Sequence, residues 1–417
     1  MAPNIPIEII IHIIDRIPLD IDSKKDRLSL SKCSTVSRAF KTPCQSRLFS
    51  NIRLISFNGP ARCRSLLTTL TRSPHLARLI RSLDIQNGWM KVKRLDGTQK
   101  TMWTLAEPAF PPVLDLLSAL ESIQLRSSTV RAFRWNIIGE AIQTSLLRLF
   151  ELPSLTKICL RNVIIPPTVF ARSPQLAYFG LHKSAIDLSQ DLSHHTQEIH
   201  HPHLQTLHIS SQMACVVWGD LRAFLDLSQL EELVLEDADA KGLDVVAAIF
   251  EKNEQSLVRF TWILPIMSEY FFSNIPWVSE FPLPARVRSM DLSILDAKAY
   301  EQRDMATPST LTWVLYALRK LGSLPRRPEL EHVVMRLVFE PSHHYHLFTH
   351  PIWEELDVTL AGDGDNFRSL RRFELFLSNA HSCAEDILDH WVATMTERPG
   401  FSWCIVRESQ SRPWAQQ

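Results

Sequence analysis

The stretch Leu230-Glu231-Glu232-Leu233-Val234-Leu235 carries a phrase, apolar-x-x-apolar-x-apolar, that recurs along most of this 417-residue chain. Ile80/Leu83/Ile85, Leu120/Ile123/Leu125, Leu155/Ile158/Leu160, Leu176/Phe179/Leu181 and Leu204/Leu207/Ile209 precede it. Leu257/Phe260/Trp262, Val287/Met290/Leu292, Leu330/Val333/Met335 and Leu370/Phe373/Leu375 follow. One match alone means little, since with 45% of residues apolar about 9% of windows match by chance. Two regularities lift the set above chance. Proline stands two residues before the first apolar position in four copies (Pro153, Pro174, Pro202, Pro328). The central copies, from Leu176 to Val287, start 28, 26, 27 and 30 residues apart.

Alternate apolar residues point to one side of a strand, and one short strand cannot bury that side alone, so neighbouring copies must stack. The period lies in or close to the leucine-rich-repeat range of about 20–29 residues. The expected architecture over residues 55–408 is therefore an irregular leucine-rich-repeat-like αβ solenoid. The competing reading is an α/β domain whose parallel strands happen to look alike. Helix-like segments fall between strands at Val130–Leu149, Leu221–Leu227, Leu243–Phe250, Leu311–Leu321 and Ala384–Met395. Residues between the apolar positions are expected to line a concave face: Lys157, Arg161, Tyr178, His182, Thr206, His208, Glu232, Glu236 and Arg259. A basic and aromatic stretch beside an acidic one suits recognition of a protein segment through complementary charge. An insertion near 88–104, Met90–Leu95, Asp96-Gly97 and Thr98–Trp103, reads as a basic β-hairpin. The tail 409–417 is expected to be flexible.

The N-terminus reads differently. Residues 4–20, NIPIEIIIHIIDRIPLD, place the seven isoleucines from Ile7 to Ile17 over roughly 200° of a helix wheel, where a surface helix needs an apolar stripe of about 100°. Pro6 and Glu8 suit the first turn, Arg16 the last, and Pro18 stops it. Such a helix is expected to bury one side on its own domain and offer another elsewhere. Ile5-Pro6-x-Glu8-Ile9-Ile10, Ile13-Ile14-Asp15 and Cys33-Ser34-x-Val36-Ser37-Arg38-x-Phe40, with Leu48-Phe49 leading into a strand, resemble the F-box of the large fungal set of F-box proteins. The resemblance covers residues 1–54 and implies a three-helix module that docks on the adaptor of a cullin–RING ubiquitin ligase. Carried over, adaptor binding falls on Pro6, Ile9, Ile10, Ile13, Ile14, Leu30, Val36 and Phe40. The expected fold is thus α/β, a three-helix F-box-like module followed by the solenoid. The implied function is that of a substrate-recognition subunit, working in the cytoplasm or nucleus with no cofactor and no activity of its own. The alternative is a non-ligase interaction scaffold whose N-terminal helices cap the solenoid. Phe40 in place of tryptophan, and the charged connection Asp20–Asp26, keep that alternative open.

Composition narrows the rest. Lys+Arg and Asp+Glu are both 45, so there is no basic footprint of the kind a nucleic-acid binder carries. Seven cysteines show no CxxC pair and no framework spacing, as in a reducing compartment. Charges interrupt the N-terminal apolar run, and no stretch reaches 18 uncharged apolar residues, so neither a signal peptide nor a membrane span is expected. Eleven glycines argue against folds built on several phosphate-binding turns. GxGxxG, GxxxxGK[ST], HExxH and GxSxG are all missing, and a hydrolase with an unrecognised site is the third reading. His194, His195, His200, His201 and His203, and then His343, His344, His346 and His350, lack metal-ligand spacing, so no metal is expected. Gly362–Asn366 reads as a turn, and Trp135, Trp262, Trp313 and Trp391 as core.

Overall fold

The computed structural model describes residues 6–17, 24–55, 58–94, 97–128, 132–187, 202–210, 225–236, 240–264, 284, 286–295, 315, 318–319, 329–338, 351–361, 367–378 and 402–408. The chain is mixed α/β and divides into two compact units, 1–202 with 223–225, and 203–222 with 226–417.

The first unit opens with three helices, α1 (Ile7–Arg16), α2 (Lys24–Cys33) and α3 (Arg38–Ser50). Pro6 is the residue before α1 rather than inside its first turn. Its carbonyl accepts from Ile9 and Ile10 N–H at 3.1 and 3.3 Å. α3 runs straight into β1 (Asn51–Leu54). β2 (Ser82–Asn87), β5 (Ser122–Ser127), β7 (Lys157–Arg161) and β9 (Tyr178–His182) follow, and β1-β2-β5-β7-β9 form a parallel sheet. Between strands lie α4 (Gly59–Arg72), α5 (Trp103–Ala106), α6 (Phe110–Leu116), α7 (Glu140–Phe150) and α8 (Thr168–Ala171). Aromatic edges seat some of these helices: Trp103 meets Phe110 edge-on at 5.4 Å, and Phe170 of α8 meets Phe179 of β9 at 4.7 Å.

The hairpin forms as β3 (Trp89–Arg94) and β4 (Gly97–Met102), antiparallel, with Arg94 opposite Gly97. Trp103, expected at its end, instead opens α5 and is fully buried. β6 (Phe133–Arg134), β8 (Val163–Ile165) and β10 (Ala185–Ile186) make a small second parallel sheet. Asn162 and Lys183, at φ 55° and 50°, follow the register-paired residues Arg161 and His182. These two left-handed residues turn the chain from one sheet into the other. The expected helix Val130–Leu149 therefore starts only at Glu140, behind Gly139, because its first part supplies β6 and a 3-10 turn.

The second unit is another parallel sheet: β11 (Thr206–Ser210), β12 (Glu232–Glu236), β13 (Arg259–Leu264), β14 (Ser289–Leu295), β15 (His332–Val338), β16 (Arg372–Ser378) and β17 (Ser402–Glu408). The segment expected around Leu243–Phe250 is the helix Ala240–Lys252, whose Phe250 meets Phe260 of β13 edge-on at 5.0 Å. Leu225–Leu227 are not helical. Leu225 and Leu227 are buried around Asp226, a period of two, while Asp226 forms a β-bridge with His203. Asp226 also accepts the Ser228 N–H at 2.9 Å, which turns the chain. The helix Ile352–Ala361 had no counterpart in the sequence reading. Most of Leu311–Leu321, all of Ala384–Met395, Trp313, Trp391, both histidine loops except His203, Gly362–Asn366 and the tail 409–417 lie outside the described residues. Among the described residues no helix is long and apolar enough to cross a membrane.

In all ten copies the second and third apolar positions lie on a strand, with the first apolar position two residues before it, and within each unit the strand positions are paired in register. Leu83 pairs with Ile123 and Ile123 with Ile158 in one unit. Leu233 pairs with Phe260, Phe260 with Met290 and Val333 with Phe373 in the other. Every residue of the thirty is at most 5% exposed. Each buried Leu, Ile or Phe side chain contributes about 1.5–3 kcal/mol, so this ladder is the core of both units. A second regularity lies in the backbone. The carbonyl after the first apolar position accepts two N–H groups from the next copy, as at Arg81, Glu121, Thr156, Gln205, Glu231, Val258, Arg288 and Glu331. The repeat is thus a repeat of hydrogen bonding as well as of side chains.

Candidate interaction surfaces

α1 spends its isoleucines two ways. Ile10 and Ile14 form a small core with Leu30 and Cys44, and Ile17, Cys33, Phe40 and Leu48 pack around it. An Arg47 guanidinium donates to the Ile14 carbonyl and ties α1 to α3. At about 100° per residue the buried stripe is narrow, and it leaves apolar flanks on both sides. Ile9 and Ile13 are 50% and 47% exposed on one flank, and Ile7 and Ile11 are exposed on the other. Val36, on the turn before α3, is 70% exposed. The eight residues assigned to adaptor binding therefore divide. Pro6, Ile9, Ile13 and Val36 face solvent, Phe40 is half-buried, and Ile10, Ile14 and Leu30 lie inside. The first group is open to solvent, and the last group forms the core beneath it.

The second surface is the outward face of the first unit's sheet, built from the positions between the apolar ones. The exposed Lys157 ammonium stands over the Tyr178 ring, 4.1 Å from its centroid, a cation–π contact between paired positions. Gly180 makes room there: a Cβ on it would lie 3.2 Å from Cys159 Sγ and 3.3 Å from the Tyr178 ring. Arg161 is half-buried beside the buried His182. Sequence reasoning missed a third group on this face. The buried Asp84 carboxylate accepts from Arg53 at 3.2 Å and from Arg126 at 3.0 Å, and a second Arg126 nitrogen also donates to it. These three lie 31 and 42 residues apart. Only placing the copies one above another shows them as neighbours, and Phe49-x-x-Ile52-x-Leu54 is the copy that places Arg53.

On the second unit's sheet the outward charges are paired, most of them across strands and Arg372 with Glu374 along β16. Arg259 reaches Glu232 at 3.3 Å, and Glu232 also accepts from Thr206 at 3.3 Å. His208 lies 3.2 Å from Glu236. Arg336 donates to both oxygens of Asp291 at 3.0–3.1 Å and stacks over Phe376 at 4.3 Å. Glu374 takes Arg372 and lies 3.4 Å from His332. Of the expected face residues, the structure thus joins Lys157 to Tyr178, Arg161 to His182, His208 to Glu236, and Glu232 to both Thr206 and Arg259.

Two further features are structural. His203 and Asp226 lie 2.7 Å apart. Burial tends to raise the Asp226 pKa, but the Ser228 hydrogen bonds and His203 outweigh it and hold the carboxyl below its usual value. Glu107, buried at the end of α5, takes Arg64 at 2.6 Å and the Ala109 N–H at 3.2 Å. No protein-family model and no curated protein matches this chain.

Proposed function

We propose that this chain is a substrate-recognition subunit of a cullin–RING ubiquitin ligase. In this reading α1–α3 are a divergent F-box that docks on the adaptor, and the parallel strands behind them are a leucine-rich-repeat-like solenoid that holds a protein substrate. The family motif over residues 5–49 supplies the ligase part. The observation that carries it furthest is the division of α1, in which Ile10 and Ile14 are buried and Ile9 and Ile13 are left outside. Exposed isoleucines one turn apart cost solubility unless a partner covers them. The subunit contributes proximity: substrate lysines are held near the charged conjugating enzyme at high effective concentration. Such a complex works in the cytoplasm or nucleus.

A pull-down of the full-length chain against purified adaptor tests this, alongside Ile9→Asp/Ile13→Asp. Loss of binding in a variant that melts like the wild type supports the docking module. A folded wild type that captures no adaptor ends the ligase reading. Ile10→Asp/Ile14→Asp is a poor probe, since it buries two charges in the α1–α3 core and unfolds the module whatever the module binds.

A second reading has its own observation. α3 passes into β1 without a break, and β1 pairs with β2 from Asn51–Ser82 to Leu54–Ile85. The Arg81 N–H also donates to the Ser50 carbonyl at 2.9 Å. Helices joined so directly to the first strand would serve as the terminal cap that a stacked-repeat protein needs. A folded chain without adaptor affinity selects this reading.

A further inference from the structure

The permanent charges on the outward face of the first unit's sheet are unbalanced. Among the described residues, Arg53, Arg126, Lys157 and Arg161 stand there against one carboxylate, Asp84. Asp84 is taken up by Arg53 and Arg126. Among the described residues, Lys157 and Arg161 have no carboxylate partner, and Lys157 rests on an aromatic ring instead. Arg126 and Arg161 also occupy directly paired positions of β5 and β7, about 4.8 Å apart at the backbone. Like charges placed so are destabilising. The second unit's sheet shows the opposite habit, with Arg259, Arg336 and Arg372 each matched to an acid on a neighbouring position.

We infer that this strip, centred on Arg126, Lys157 and Arg161, is a docking site for an acidic protein segment, a run of Asp and Glu side chains. The inference rests on the protein-recognition reading of the solenoid and gives the class of segment recognised. A carboxylate set between Arg126 and Arg161 relieves their repulsion and takes the fork of guanidinium donors that Asp84 leaves unused. The size fits a peptide: Lys157 and Arg161 are about 13 Å apart along β7, and the five strands span about 19 Å. An extended chain of six or so residues crosses that distance. Nucleic acid asks for a wider basic field, and this chain carries 45 positive and 45 negative residues. Tyr178, pinned under Lys157, gives the aliphatic stems of the acidic side chains a surface to lie on.

Fluorescence anisotropy on the full chain tests this with labelled octaglutamate, with octaglutamine as neutral control and oligothymidylate as nucleic-acid control. Octaglutamate is expected to bind, and to bind less as salt rises. Lys157→Gln/Arg161→Gln should weaken it about tenfold while the melting temperature stays level or rises, because a like-charge contact is removed. Arg148→Gln, on α7 rather than on the sheet face and matched by Asp115 at 3.3 Å, should leave binding unchanged. Octaglutamate held no better than octaglutamine, or bound undiminished by the double variant, overturns the inference. So does tighter binding of oligothymidylate, which would make the strip a nucleic-acid site. The adaptor pull-down reads α1 and this titration reads the sheet, so each fails separately.

Discussion

Cys63 shows how a single side chain takes its chemistry from its position. It is fully buried in α4, near the Glu107 carboxylate. Burial first, and then the Glu107 charge, push its thiol up to about 12, against the opposing pull of Arg64. Only the thiolate is nucleophilic, so Cys63 is inert in the folded protein. We expect iodoacetamide at pH 8 to leave Cys63 unmodified in the native chain and to modify it in denaturant, as followed by mass spectrometry. Native modification at the denatured rate would refute its burial. The same shift has a sign in stability. The folded thiol keeps its proton where the unfolded one, near 9.0, loses it. Its contribution is therefore complete below pH 9 and declines as pH climbs from there toward 12. Nothing in the sequence around Cys63 announces this, because Glu107 lies 44 positions away and reaches it only through the fold.

At the level of elements, close packing between α4 and α5 turns on one missing atom. A Cβ on Gly59 would sit 2.6–2.9 Å from the Trp103 indole. That indole cannot yield easily: its Nε1–H donates to the Gln86 carbonyl at 2.9 Å, and its ring is held edge-on by Phe110. Gly59→Ala would raise helix propensity by about 1 kcal/mol. We nevertheless expect a net loss of about 1–3 kcal/mol in urea unfolding, since overpacking of this kind forces the aromatic off its site. An alanine variant as stable as the wild type would mean that the helix and the indole are not in fixed contact. The strands, by contrast, were legible. Three apolar positions per copy fix both the strand and its inward face, and all ten copies landed in register. β17 escaped because Gly400 stands where its first apolar residue is due, three positions before Trp403. Helix limits were harder to read, since Leu225 and Leu227 fit a helical window as well as the two-residue period they adopt.

For the whole molecule, a formal charge of zero concealed a segregation. Among the described residues, the first unit's sheet face carries unmatched cations, and each arginine on the second unit's face has an acid beside it. Composition sums over surfaces that a partner meets one at a time, so the candidate site was only half legible. The columns of outward residues could be written down, but not which acid each cation had already taken. Among the described residues the parallel sheet of the second unit ends at β17, and an edge strand is a point of misassembly. The Ser402 N–H donates to the Arg371 carbonyl at 2.8 Å, so by alternation the Cys404 and Val406 N–H groups also face β16, while those of Trp403 and Ile405 face away. Proline removes one donor wherever it is placed, and an edge strand tolerates it only on the outward side. Cys404→Pro should therefore cost about 3 kcal/mol and strip the pairing from β16, whose Phe373 and Leu375 are fully buried. An unpaired β16 is an adhesive edge, so light scattering should show this variant forming soluble aggregates well below the wild-type melting temperature. Ile405→Pro, one residue along, should keep the monomer and lose much less stability. If both variants behave alike, β17 does not pair with β16 in this register.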